Sequence, residues 1–357
     1  MTLPASGNPI SARDIANEFG YTNGSETRLG SYRTTNGQGN FPVSFGALQF
    51  NSIDAQTGGS VPTSGQIKFS DFYSTKLQTI VNFYGSGKGG NRLVAKDRYN
   101  ANSSGDVNVV GNYRTRPNNS SGTKVHIHVN QQIGSEKTRV EHCALRTGSW
   151  DSSTTLQVDV GGSGRIGGAG GDGGRGSDSS NGNSTFGRGG DGTSGLGVQY
   201  NPTTVNVASG GVITAGFGGG GGGGGAYDTD KEGARTASGG GGGGGAGIPA
   251  GAGGAAGINA GVNGQPGNAG SISEGGTGGN GGNNAGEAVA GGGGTGGEGS
   301  DSADSGVTGQ GGEGSTYSPG PAGSPGAAIR RNTGFTVNVN IASSGSVNGV
   351  QNATTVL

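Results

Sequence analysis

The sequence has little of what a conventional globular core requires. Aliphatic and aromatic residues make up 28% of the chain, tryptophan occurs once, and glycine occupies 89 of the 357 positions. A core of packed side chains therefore cannot extend through the whole chain. Cys143 is the single cysteine, which excludes an intramolecular disulfide framework.

Net charge and long apolar runs are lacking as well. Lysine and arginine number 22 against 23 aspartates and glutamates, so the chain has no basic field for nucleic acid and no acidic tail. No stretch approaches the ~20 apolar residues of a membrane span. The start, MTLPASGNPI, has neither the basic nor the apolar part of a signal peptide. We expect a soluble chain made in a cytoplasm, with no nucleic-acid partner and no membrane insertion.

The first region, residues 1–76, is expected to be a small attachment module. A short motif near its start, SGNPISARDIANEFG, is echoed near its end by SGQIKFSDFYS. In the first copy, Ser11 and Asp14 have the spacing of a helix cap, and in the second, residues 70–72 can start another helix. Both copies are too polar for a large catalytic domain.

The second region, residues 77–160, contains short runs of alternating polar and apolar residues separated by Gly, Asn and Ser. This pattern is typical of antiparallel sheets and predicts an antiparallel β domain. Trp150 and Tyr99 are expected in its core. A further strand is predicted in residues 335–357, where the chain returns to the base of the glycine-rich region.

The third region, residues 161–334, places glycine at every third position in short blocks. Polyproline II geometry has three residues per turn and no internal hydrogen bonds, so glycine at this period lets neighbouring chains pack through their backbones. We predict a sandwich of about ten antiparallel polyglycine II helices with variable loops.

A disordered linker is the alternative that composition favours, but the retained period argues against it. Collagen would need many more than the 11 prolines present. The first block consists of Gly161, Gly164, Gly167, Gly170, Gly173 and Gly176, and later blocks continue to Gly326.

A second repeat predicts which loops share one end of the sandwich. Similar strand sequences at 154–160, 203–207 and 335–341 each precede a glycine-bearing segment, and alternation of the helices places all three strands at the same end. The sequence leaves open whether the breaks at 248–250 and 258–260 are true turns. Losing both would preserve the alternation, whereas losing one would reverse the direction of every later helix. The loops expected at the opposite, distal end are 177–186, 226–238, 258–260, 283–290 and 315–319.

Three features point to a known family: the period-three segments from Gly161 to Gly326, their interleaved loops and the strand-bearing stretch TTLQVDVGGSGRIGGAGG. Together they resemble bacteriophage tail-fibre adhesins, the receptor-recognising proteins at the tips of long tail fibres of T-even-like phages. The resemblance implies a virion protein whose N-terminal region joins it to other tail or fibre proteins. It also implies that the distal loops bind a host outer-membrane protein or surface glycan. A monomer on a fibre and a homotrimer both remain open.

The resemblance implies receptor contacts by aromatic, charged and amide side chains of the distal loops. Exposed aromatic residues ringed by short polar ones are typical of binding surfaces. The candidates are Phe186, Arg188, Tyr227, Asp228, Asp230, Lys231, Arg235, Asn283, Asn284 and Tyr317.

Other chemistry has weak support in the sequence. His126 and His128 lie on one face of a predicted strand and could chelate a metal, although two solvent-facing histidines are the simpler interpretation. No catalytic motif or compelling carboxylate pair is present, so we expect neither an enzyme nor a cofactor. A non-adhesive structural virion protein, such as a fibre base, collar or spacer, is the alternative function. An ice-binding protein is a third, but its surface would need a flat, regular array of small residues.

Overall fold

The computed structural model of this chain is mostly β, with very little helix. One short α-helix, α1, spans Ala12–Glu18, and a 3-10 helix spans Phe69–Phe72. The structure describes residues 3–18, 29, 53–55, 65–73, 75–77, 79–83, 93–94, 107–110, 124–137, 139–150, 154–178, 187–230, 233–258, 262–284, 288–290, 292, 294, 306–310 and 318–356.

The strands are short, and those outside the glycine-rich region have the alternating patterns noted in the sequence. They are β1 (Ile53–Ala55), β2 (Thr75–Leu77), β3 (Thr79–Phe83), β4 (Leu93–Val94), β5 (Val107–Val110), β6 (Lys124–Val129), β7 (Gln132–Ile133), β8 (Cys143–Arg146), β9 (Thr155–Val160), β10 (Arg165–Gly167), β11 (Ser194–Val198), β12 (Thr203–Val207), β13 (Val212–Thr214), β14 (Ala226–Asp230), β15 (Gly233–Ala237), β16 (Asn283–Asn284), β17 (Ala288–Val289), β18 (Ile329–Arg331), β19 (Val337–Ile341), β20 (Ser346–Asn348) and β21 (Ala353–Thr354).

The N-terminal motif caps its helix as the sequence predicts. Asp14 Oδ2 accepts hydrogen bonds from the Ser11 backbone N–H at 2.8 Å and from its hydroxyl at 2.6 Å, while Ser11 Oγ accepts the Asp14 N–H. The hydrogen bonds from Ser11 hold the pKa of the exposed Asp14 carboxyl below its usual value. In the second copy Asp71 accepts the Lys68 N–H at 2.7 Å, so the helix begins earlier than residue 70.

Strands β3 to β13 and β18 to β21 form three sheets whose strands run parallel, apart from the edge strand β5. The chain passes from a strand of one sheet to a strand of the next sheet and so coils through all three. Each strand pairs with the strand that occupies the same position in the following turn of the coil. We call this arrangement the β coil. Its first sheet has the order β19-β12-β9-β6-β3-β5, its second β20-β13-β10-β7, and its third β21-β18-β11-β8-β4.

The prediction of an antiparallel domain over 77–160 is wrong for the strands that the structure describes, because β3 pairs in parallel with β6 and β6 with β9, and the described chain passes from sheet to sheet at corners of the β coil. After β9, Gly161 N donates to Val129 O, and one turn later Ala208 N donates to Val160 O. The same corner recurs after β19. Each corner redirects the chain into the next sheet, so consecutive strands do not pair with each other. β5 is the exception to the parallel direction, since it pairs antiparallel with β3.

The predicted equivalence of the strands at 154–160, 203–207 and 335–341 is confirmed. β12 lies between β9 and β19, with Val205 opposite both Val158 and Val339. Inward-facing apolar side chains stack from one turn to the next, and Trp150 joins this core as expected, whereas Tyr99 lies outside the described residues. The buried members in these strands include Val125, Ile127, Val129, Leu156, Val158, Val160, Val205 and Val207.

The glycine-rich segments leave the β coil at one corner, between the second and third sheets. The first excursion runs from β10 to β11 and the second from β13 to β18. Within them, backbone hydrogen bonds between neighbouring segments recur every three residues. Gly171, Gly174 and Ser177 donate to Phe217, Gly220 and Gly223 respectively, at 2.8 to 3.0 Å.

The hydrogen bonds also give the direction of the segments. Segment 168–178 runs parallel to 215–225, while 238–247 runs antiparallel to 215–225. The chain reverses at 248–250, because segment 249–258 is antiparallel to 238–247, and it reverses again before 262–271. Reversals therefore occur at both short breaks that the sequence left in question.

Gly219→Ala should destabilise the protein strongly, since a Cβ there would lie 2.1 Å from the carbonyl oxygen of Asp172, which is fixed backbone. We expect a loss of about 1–3 kcal/mol or more in the free energy of unfolding. Gly292→Ala is the matched control, because its Cβ would be 3.4 Å from its nearest neighbour. Urea unfolding of both variants measures the difference. Equal stability of the two would contradict the close packing of backbones.

Candidate functional site

The end of the glycine-rich region opposite the β coil carries a β-hairpin. Its strands, β14 and β15, pair antiparallel with Tyr227 opposite Thr236 and Asp228 opposite Arg235. The Tyr227 side chain is exposed, although tyrosine usually buries much of its ring. The hairpin thus presents an aromatic ring on a rigid, hydrogen-bonded ladder.

A second, shorter hairpin formed by β16 and β17 packs against the first. Asn283 pairs with Val289, and the side-chain amide of Asn284 donates to the backbone carbonyl of Thr236 at 3.4 Å. Between the hairpins, Ala226, Ala237 and Ala290 form a small buried apolar cluster. Together these contacts join the two hairpins into one surface, which we call the hairpin surface (226–237 and 283–290).

Other predicted distal loops meet this surface. Asp178 Oδ1 accepts the Ile258 N–H at 2.7 Å, which places the loop that starts at 177 beside the break at 258. Ser238 N donates to Val262 O, and Gly282 N donates to Ser238 O. The described parts of the loops at 177–186, 226–238, 258–260 and 283–290 therefore lie at the same end, as the alternation argument predicts.

The structure brings several of the predicted residues together. Tyr227 and Asn283 are exposed and Asn284 is half-buried, while the backbones of Asp228, Asp230 and Arg235 lie in the first hairpin. Three predicted residues lie outside the described part of the chain: Phe186, Lys231 and Tyr317.

Arg188 pairs with a carboxylate of its own glycine-rich segment. Its guanidinium forms a two-pronged pair with Asp191, with Nη2–Oδ1 at 2.6 Å and Nη1–Oδ2 at 3.1 Å, and Asp191 Oδ1 also accepts the Ser324 N–H at 2.8 Å. The hydrogen bonds to Asp191 raise the pKa of Arg188. Burial raises the pKa of Asp191, but the Arg188 hydrogen bond, the Ser324 N–H and the Arg188 charge together bring it below its usual value.

Among the described residues, Asp191 is one of three carboxylates that connect glycine-rich segments, and sequence reasoning missed all three. Asp178 pairs with Arg175 and accepts the Ile258 N–H, while Asp172 pairs with a lysine and accepts the N–H of Ala252. A sequence signal existed for two of them. Arg175 and Asp178, like Arg188 and Asp191, are three residues apart, and three residues complete one turn of polyproline II geometry.

A polar cleft of about 430 Å³ opens where the segment between β7 and β8 meets the first two glycine-rich segments. Most of its charges already have partners, since Asp172 is bonded to Lys137 at 2.6 Å and Asp191 to Arg188. The cleft is lined by Lys137, Arg139, Val140, Glu141, Gly171, Asp172, Gly190 and Asp191.

The structure corrects the interpretation of His128 as a solvent-facing residue. Val125, Ile127 and Val129 face the core as expected, but His128 is fully buried on the other face, so it is not a solvent-facing histidine. Its register partner Asp159 is also buried and accepts hydrogen bonds from Gln157 and Asn206. His126 lies in the same strand, and nothing further is described for its side chain. Among the described residues, no group of three His, Cys, Asp or Glu side chains is arranged to hold a metal ion.

Cys143 lies in the third sheet, where burial raises the pKa of its thiol to about 12. Within the described ranges, no helix has the length and apolar character needed to cross a lipid bilayer.

Comparison with known proteins gives one family match and one structural match. The family model described as "Phage tail fibre adhesin Gp38" matches residues 93–352. Among solved structures, this chain is similar to one in the gp37–gp38 adhesin tip complex of the bacteriophage S16 long tail fibre. The two share 17% identity, and the alignment covers 80% of this chain and 88% of that chain with a TM-score of 0.29. Among curated proteins, no sequence matches significantly.

Asp191→Asn should reduce stability at neutral pH but not in strong acid. Because the folded-state pKa of Asp191 lies below its ordinary value of 3.8, the ionised carboxylate stabilises the folded state above that pH, and the contribution is lost as pH falls through the folded-state pKa. We expect the difference in unfolding free energy between wild type and variant, as measured by urea unfolding, to shrink as the pH falls below 3.8. A difference that stays constant over this range would contradict the pairing with Arg188.

Proposed function

This chain belongs to the phage tail fibre adhesin family described as Gp38, and from that premise we propose that it binds a host cell-surface receptor through the hairpin surface. The observation that carries the proposal is the convergence of the two hairpins and the neighbouring loops at the end remote from the β coil. The receptor is an outer-membrane protein or a surface glycan. Binding takes place by shape and polar complementarity, without catalytic turnover.

The chemistry of the hairpin surface supports recognition. Exposed Tyr227 and Asn283 offer an aromatic ring and an amide, residue types that are frequent in binding surfaces because they give contact area and hydrogen bonds at a small entropic cost. The ladder beneath them and the Asn284–Thr236 bond hold these groups in place before the receptor arrives. Such preorganisation lowers the entropy lost on binding.

The rigid support of this surface is a sandwich of about ten polyglycine II helices, which we propose as the geometry of the region 161–334. Three observations support it: the three-residue step of the hydrogen bonds, the alternating directions of the segments, and the glycines that face neighbouring carbonyls. A sandwich of this kind needs no large apolar core, which agrees with the composition of the chain.

We propose that the N-terminal region attaches the chain to another protein of the tail fibre, which places the protein in the virion. The family match begins at residue 93, so both copies of the N-terminal capping motif lie outside it. These copies form small capped elements, separate in sequence from the glycine-rich region, and suit a role in assembly.

Tyr227→Ala should weaken binding of the protein to susceptible cells by roughly tenfold or more, as expected for a central aromatic anchor. The measurement is adsorption of the purified full chain, or of phage that carries it, to host cells. Ile341→Ala is the matched control, because Ile341 is 46% exposed against 43% for Tyr227 and lies in the β coil. The control should bind as wild type does.

Exchange of residues 226–238 for the corresponding loop of a related phage should change the host range, since this loop forms the larger hairpin. The measurement is plating on a panel of strains. An unchanged host range, together with normal binding by Tyr227→Ala, would instead favour a non-adhesive spacer in the virion.

A further inference from the structure

One flank of the glycine-rich region carries a regular array of uncharged polar side chains. Segments 262–271 and 276–282 lie side by side and antiparallel, with Gln265 N donating to Asn280 O at 2.8 Å and Asn268 N donating to Thr277 O at 2.9 Å. Three glycines of the first segment face other glycine-rich backbone, and three of the second face the backbone of the first: Gly264, Gly267 and Gly270, and Gly276, Gly279 and Gly282, respectively. The side chains of Gln265, Asn268, Thr277 and Asn280 are all exposed, and we call them the amide strip.

Hydrogen bonds across the two segments fix the geometry of the amide strip. Asn268 Nδ2 donates to Thr277 Oγ1 at 2.7 Å, and Asn280 Nδ2 donates to Gln265 Oε1 at 3.3 Å. Each pair uses only part of its hydrogen-bonding capacity, because an amide carries two donor hydrogens and an acceptor oxygen. The strip therefore presents oriented donors and acceptors that are already ordered.

The spacing and continuity of the strip suit an extended ligand. Successive pairs are three residues apart, which corresponds to ~9 Å along a polyproline II-type chain. Asn283, three residues beyond Asn280, starts the second hairpin, so the strip leads directly into the hairpin surface. At the other end the strip reaches the turn 271–274.

The charge of this flank excludes several ligand classes. Between residues 262 and 283 the only ionisable side chain is Glu274, and no lysine or arginine is present. A nucleic acid or a phosphorylated sugar would need cations to neutralise it. A neutral chain of sugars matches the strip instead, because its hydroxyl groups donate and accept hydrogen bonds as amides do.

We propose that the amide strip is a lateral binding site for a neutral glycan chain, distinct from the hairpin surface. The proposal rests on the adhesin function proposed above for the source of the glycan, which is the surface of the host bacterium. A glycan lying along the strip would hold the fibre tip near the cell while the hairpin surface engages its receptor. Because each hydrogen bond to an exposed amide is weak, binding depends on several sugar units.

The test compares binding of the full chain to an array of neutral bacterial O-polysaccharides, with dextran sulfate as an anionic comparison. The variant combines Gln265→Ala, Asn268→Ala, Thr277→Ala and Asn280→Ala. We expect wild type to bind at least one neutral polysaccharide and the variant to bind it roughly tenfold more weakly or worse. The matched control removes three exposed polar side chains from the β coil, by Asn338→Ala, Ser343→Ala and Asn352→Ala. It should bind as wild type does.

The outcomes separate this inference from the proposed function. If no neutral polysaccharide binds wild type, or if the strip variant binds as well as wild type, the lateral site is overturned even when Tyr227→Ala still abolishes adsorption to cells. Stronger binding to dextran sulfate than to every neutral chain would also overturn the lateral site.

If the hairpin variants leave adsorption to cells unchanged while the strip variant no longer adsorbs, the proposed function fails and the strip itself becomes the adhesive site. The strip variant should keep the unfolding transition of wild type, since its side chains are exposed.

Discussion

Close contact between backbones, made possible by glycine at every third position, is the constraint on which the rest of this structure depends. At Gly174 a Cβ would lie 1.9 Å from the carbonyl oxygen of Gly187, and at Gly254 it would lie 2.1 Å from that of Gly174. No side chain fits in such gaps. The backbones of neighbouring segments therefore lie close enough for the amide groups of one segment to donate hydrogen bonds to the carbonyl groups of the next. A chain with 28% hydrophobic residues can in this way order a large region without a corresponding apolar core.

The β coil supplies the apolar core that the glycine-rich region lacks. Its inward-facing valines and isoleucines stack in register from turn to turn, and Tyr200 closes one corner by donating its hydroxyl proton to the carbonyl of Thr154. Both long excursions begin after a strand of the second sheet and end at a strand of the third. Their ends are therefore fixed beside each other, and alternation of the segments then carries the hairpins to the opposite end.

Sequence patterns predicted local features well where one residue type has a strong geometric consequence. The recurrence of glycine at every third position indicated packing through the backbone, because only glycine lets neighbouring backbones approach so closely. The Ser11–Asp14 spacing indicated a helix cap that the structure contains. The direction of strand pairing was not predictable from the turns, since a corner and a hairpin use the same residue types. The pair of Arg188 with Asp191 was also readable from spacing, because the three-residue turn brings both onto one face of the same segment, whereas a receptor contact by Arg188 stays a prediction.

By itself, the sequence determined that this protein would pack much of its chain through backbone contacts, that three strands would be equivalent, and that polar loops would alternate between two ends. Only the tertiary structure decided that the strands coil in parallel, that His128 is buried, and that Asn284 braces one hairpin against the other. The physical reason is the range of each interaction. The absence of a side chain is a property of single residues and their spacing, whereas pairing direction, burial and contacts between loops depend on which distant segments the fold brings together.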